Sequence, residues 1–97
     1  MSRVALTLDE YGVLRAGKRW TTLTERERAV MQMLLASFGT VVPSAALNTA
    51  LWPDRDPGYE PRTIHVVIHR LRKQIEPLGF AIATIRTHGF LLFQSER

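Results

Sequence analysis

Pro61-Arg62-Thr63-Ile64-His65-Val66-Val67-Ile68-His69-Arg70-Leu71-Arg72-Lys73-Gln74-Ile75-Glu76 is the stretch of this 97-residue chain from which the rest can be read. A proline suits the first turn of a helix, and Pro77 disfavours helical geometry in the residue before it, so a helix is expected over 61–76. Advancing about 100° per residue gathers Ile64, Val67, Ile68, Leu71 and Ile75 into one stripe that must turn inward. The outward side then carries Arg62, His65, Val66, His69, Arg70 and Lys73, flanked by Thr63 and Arg72, with no acid before Glu76. Such a ridge is suited to a polyanion.

The elements on either side fit that use. Downstream, past Gly79, residues 80–86 and 90–93 are apolar and β-prone, and Thr87-His88-Gly89 is short enough for a hairpin turn. Upstream, residues 52–61 hold three prolines and a glycine among Asp54, Asp56 and Glu60, which disfavours helix and strand alike. A loop of that length in a small domain points to a role of its own. Before it, Pro43-Ser44 opens a short helix packing through Ala46, Leu47, Ala50 and Leu51 and ending near Trp52, with Val41 and Val42 as an extended link ahead of it.

Further back, Thr24-Glu25-Arg26-Glu27 fits a capping box, in which the first and fourth residues satisfy each other's backbone amides. The helix it starts has Ala29, Val30, Met33, Leu34 and Leu35 at packing positions through to Phe38, with Gly39 free to take a left-handed turn. Residues 3–8, a turn at 9–12, and the runs at 13–15 and 18–23 form a small antiparallel sheet.

The expected fold is therefore α+β: a winged helix-turn-helix with an N-terminal antiparallel β-sheet, three helices and a C-terminal β-hairpin wing. The chain reads as a single domain over 1–97, with the sheet in 1–23, the three-helix core in 24–77 and the wing in 80–94. A 45% hydrophobic and 23% charged composition is that of a globular protein rather than a disordered segment. Lys and Arg outnumber Asp and Glu by 13 to 9, an excess that matters because it is gathered on one helix.

Several function classes are set aside by the inventory. With no cysteine there is no disulfide, thiolate metal site or cysteine nucleophile. His65 and His69 lie one turn apart, but zinc wants three or four ligands, so no metal or other cofactor is expected. There is no phosphate-cradling glycine loop and no nucleophile with an evident base, so an enzyme is not expected. Apolar runs fall short of a membrane span, and Met1-Ser2-Arg3 does not open a secretion signal, so a cytoplasmic, nucleoid-associated location is expected.

A helix following a shorter one across a loop and preceding a β-hairpin is the order in which a recognition helix enters the major groove and a wing meets the adjoining backbone or minor groove. Val66, a valine among cations on a solvated face, is suited to a thymine methyl, and Arg70 to the O6 and N7 of guanine. Arg72 and Lys73 are placed for phosphates, and the imidazoles of His65 and His69 can bond phosphate oxygens. Double-stranded DNA is thus the expected partner.

From Leu23 onward the chain also resembles the output domain of OmpR/PhoB-type response regulators. The likeness is carried by Leu23-Thr24-x-x-Glu27 with Val30-Met31-x-x-Leu34, by Gly39-x-Val41-Val42, and by Leu47 with Leu51-Trp52. It continues through Arg62-Thr63-Ile64-x-Val66-x-Ile68-x-Arg70-Leu71-Arg72-Lys73 and Thr84-Ile85-Arg86-x-x-Gly89-Phe90. The resemblance implies a transcription regulator with base contacts from Thr63, Val66 and Arg70, phosphate contacts from His69 and Arg72, and a minor-groove or backbone contact from Arg86. With Arg62, His65, Lys73 and His88 these complete the candidate DNA-contacting set.

Departures are visible as well. The family usually has Asp at the position of His65, His at Val67, and Gly followed by a small residue at Thr87-His88, so specificity does not transfer. These 97 residues contain no receiver domain with a phosphate-accepting aspartate, so either an excised output domain or a stand-alone protein is expected, the Met-Ser start leaning towards the latter. The rival to DNA binding is a protein-interaction module, with Trp52, Asp54, Asp56, Tyr59 and Glu60 in the loop as anchors for RNA polymerase, a sigma factor or another regulator. For Trp52 itself, capping the core is the favoured reading. The sequence leaves open the oligomeric state, including a dimer on DNA.

Overall fold

The computed structural model describes residues 5–53 and 63–95. The first sheet has the order β1-β2-β3, made from β1 (Leu6–Leu8), β2 (Val13–Ala16) and β3 (Arg19–Thr22), all antiparallel. Asp9 makes the first turn: its Oδ1 accepts from the amides of Tyr11 at 2.8 Å and Val13 at 3.0 Å, the local bonding for which aspartate is favoured in turns. The alternation of a strand sends Leu14 and Ala16 into the core and Arg15 outward.

Helix α1 (Glu25–Ala36) opens with both bonds of the expected capping box. The Glu27 amide donates to Thr24 Oγ1 at 3.2 Å, and the Thr24 amide donates to Glu27 Oε1 at 2.9 Å. Its inward face is narrower than the apolar pattern suggests: Glu27, Val30, Met31 and Leu34 are buried, while Ala29, Met33 and Leu35 are half-buried. The stripe begins with a polar residue, Glu27, which hides its i, i+3, i+4, i+7 spacing from a search for apolar positions. The helix also stops at Ala36, short of Phe38, whose ring instead meets Phe80 edge-on at 6.0 Å.

Val42 does more than link. With Pro43 it forms β4 (Val42–Pro43), which pairs with β6 (Gly89–Gln94), so the wing sheet has three strands in the order β4-β6-β5, with β5 at Phe80–Ile85. A proline is tolerated there because β4 is an edge strand. Pairing of Pro43 with Gly89 is so close that a Cβ at position 89 would fall on the Val42 carbonyl oxygen and within 2.9 Å of Pro43 Cα.

Helix α2 (Ser44–Leu51) is held at its start by a bond from the Ser44 amide to the His88 carbonyl at 3.2 Å, and buries Leu47 and Leu51. Helix α3 (Thr63–Ile75) buries all five residues of the expected stripe: Ile64, Val67, Ile68, Leu71 and Ile75. Pro77 does not end the helical path abruptly; a 3-10 turn over Glu76–Leu78 carries the chain past it to Gly79. Around α3 the core is completed by Leu14, Val30, Met31, Leu34, Leu47, Phe80, Ile82, Phe90 and Leu92. This is a winged helix: three helices with an N-terminal sheet and a C-terminal hairpin. Among the described residues no helix is long and apolar enough to cross a membrane.

Candidate nucleic-acid interface

Because α3 commits one side to the core, helical geometry turns the other side outward. His65, Val66, His69, Arg70 and Lys73 are all exposed on it, and Val66 keeps 47% of its surface accessible despite its apolar side chain. The two flanks of this face are unlike. His65 and Arg72 are a heptad apart, so an ideal helix separates them by only about 20°, and both meet the wing. The His65 ring stands edge-on to Phe90 at 6.4 Å. Arg72 is half-buried, with Nε donating to the Ile82 carbonyl at 2.9 Å and Nη2 to Thr84 Oγ1 at 2.6 Å.

At the wing tip, Arg86 and His88 are exposed in the turn between β5 and β6. Thr87 between them holds φ at 62°, in the left-handed region, and its Oγ1 donates to the Arg86 carbonyl at 2.6 Å. The structure thus brings Arg86 and His88 onto the same hairpin that Arg72 grips. Arg62 and the side chain of Thr63 lie outside the described residues, as do Asp54, Asp56, Tyr59 and Glu60 of the loop. Trp52 is half-buried against the core, with the Arg26 guanidinium carbon 4.3 Å from its ring centroid, a cation–π stack.

A further basic surface was not visible in the sequence. Lys18, Arg19 and Trp20 stand beside Lys73 across a shallow groove at the C-terminal end of α3, and Arg19 is held there by a 2.8 Å bond to the Pro77 carbonyl. More than fifty positions separate these cations from Lys73 in the chain, so no local charge run announces them. Among the described residues no cluster of three or more His, Asp or Glu side chains has the geometry to hold a metal ion.

A family model described as the C-terminal part of transcriptional regulatory proteins matches residues 17–92, from the turn before β3 to the last core position of β6. The chain belongs to this family. It is the OmpR/PhoB-type output-domain family that the motifs of α1, α3 and the wing resemble. Within it, the chain is 36% identical over 78 residues to the transcriptional regulatory protein MoaR1 of Mycobacterium tuberculosis and of Mycobacterium bovis. That match covers 77% of this chain but spans only about a quarter of the length of MoaR1, 25%. Among solved structures, the C-terminal domain of NsrR, a lantibiotic response regulator of nisin resistance, superposes with a TM-score of 0.77 at 33% identity, covering 94% of each chain. The DNA-binding domain of Klebsiella pneumoniae RstA, solved in complex with the RstA box, superposes at 0.74 with 25% identity over 96% of this chain and 95% of that one. These output domains share the helix order and the wing described above.

Proposed function

We propose that this chain binds double-stranded DNA sequence-specifically as part of a transcription regulator, with α3 in the major groove and the wing against the adjoining minor groove or backbone. The observation that carries this is the outward face of α3, where His65, His69, Arg70 and Lys73 are exposed along with Val66 and no acid intervenes before Glu76. A solvated face gains nothing from Val66, whereas a groove floor offers it thymine methyls. That the RstA domain, similar along its whole length, was solved on its DNA box supports the same use here. Within this reading Val66 and Arg70 read bases, while His65, His69 and Lys73, with Arg62 and Thr63 ahead of them, serve the adjoining bases and phosphates. Arg86 and His88 extend the contact from the wing.

RNA polymerase or a sigma factor is a second proposed partner, through the 52–61 segment that precedes α3. Trp52 is a poor anchor for it, since its ring is already stacked with Arg26 and packed against the core. No catalytic role or cofactor is proposed, and a place in the cytoplasm beside the nucleoid follows from the DNA reading. The test is titration of random-pool and promoter-derived duplexes at two salt concentrations. A DNA-binding chain loses affinity with salt at a log–log slope of about 0.9 per phosphate contact and prefers a selected sequence over random duplex. A flat salt response, or retention of RNA polymerase without any duplex binding, removes the DNA reading.

A further inference from the structure

Arg72 presents the planar edge of its guanidinium to β5 in two places, the Ile82 carbonyl and the Thr84 hydroxyl. Thr84 is the cross-strand partner of Phe90, and Phe90 is the ring against which His65 stands. The wing-facing flank of α3 therefore holds the Thr84–Phe90 rung of the hairpin from both ends, by Nη2 of Arg72 and by the ring contact of His65, while Nε of Arg72 holds Ile82 on the Ile82–Leu92 rung. A guanidinium suits this because its donors are fixed in a plane, whereas a lysine ammonium offers only a point charge. Nε and Nη2 are both directed to the wing, and the side chain is half-buried against it.

We infer that Arg72 is a positioning residue: it sets the angle of the wing to α3, and so decides where Arg86 meets the nucleic acid, instead of serving as a phosphate ligand. The inference rests on the DNA-binding reading. It assigns Thr84 a part as well, since the threonine hydroxyl is the acceptor that takes one arm of the fork.

The experiment measures affinity at two salt concentrations for a duplex selected from a random pool, using R72Q, R72K, T84V and T84S, each alone and combined with R86A. Thermal melting establishes that each variant is folded at the assay temperature. T84V removes no charge, yet binding should weaken about threefold to tenfold, the scale of one ordinary hydrogen bond. In that background R86A should cost less than about twofold, because contacts that act as a unit are not additive. T84S, which keeps the hydroxyl, should bind as the unaltered chain does, and R72K should lose affinity along with R72Q. Unchanged binding by T84V, with affinity restored by R72K and a salt slope lowered by about 0.9 in R72Q, would make Arg72 a phosphate ligand and overturn the inference. Should R72Q fail to fold, R72K decides, since a phosphate ligand keeps its affinity as lysine and a two-donor positioning residue does not. A chain that ignores every duplex before any substitution overturns the DNA reading itself, which is a different result from one that binds and is indifferent to Thr84.

Discussion

Thr87 pays a conformational penalty at the wing tip that its position does not oblige it to pay. A left-handed backbone costs a side-chain-bearing residue about 1–2 kcal/mol, most for a β-branched one, and only part of this is returned by its bond to the Arg86 carbonyl. Thr87→Gly should stabilise the chain by about 0.5–1 kcal/mol once the extra freedom of glycine in the unfolded state is counted, read as a raised urea midpoint. Arg70 belongs to the same scale. Exposed near the middle of α3, it should lose about 1–3 kcal/mol of affinity on the selected duplex as Arg70→Ala, with relaxed preference at one base position in a selection experiment. Lys73→Ala should instead weaken all duplexes alike and lower the salt slope by about 0.9. Arg70 and Lys73 were legible beforehand because helical spacing alone decides that they face out. The two bonds of Arg72 were not, because their acceptors lie ten and twelve positions further along the chain.

At the level of elements, the wing is less a hairpin than a three-stranded sheet with a short third member contributed from before α2. Gly89 is the point where that strand presses closest, and Gly89→Ala should force β4 from β6 at a cost of about 1–3 kcal/mol, the usual penalty for overpacking. A fall in melting temperature checks the cost, and faster hydrogen exchange at the amide of Ser44, bonded to the neighbouring His88 carbonyl, checks its place. The hairpin itself was plain in the residue types of 80–93. The pairing of Val42 with Phe90 was not, since two residues carry too little pattern to announce a strand. The end of α1 departs from the apolar spacing, since Phe38 continues that spacing but lies beyond the helix and meets Phe80.

Across the whole molecule one polar chain joins sheet to helices. Thr21 Oγ1 on β3 donates to Gln74 Oε1 on α3 at 2.7 Å, Gln74 Nε2 donates to Glu27 Oε1 on α1 at 2.8 Å, and the same Oε1 caps the Thr24 amide. Gln74→Leu should cost about 1–3 kcal/mol by leaving part-buried groups without partners, measurable by chemical denaturation, while affinity per folded molecule stays unchanged. The amino-acid order was enough to determine that there are three helices, the inward face of α3, the capping of α1 and the outward basic ridge of α3. Each of those depends on periodicity or on bonds spanning at most four residues. Tertiary structure alone decided that β4 joins the wing, that Gln74 meets Glu27, that Lys18 and Arg19 flank Lys73, and that Arg72 turns to Thr84. Those depend on how separate elements pack, and packing distance has no counterpart in local spacing.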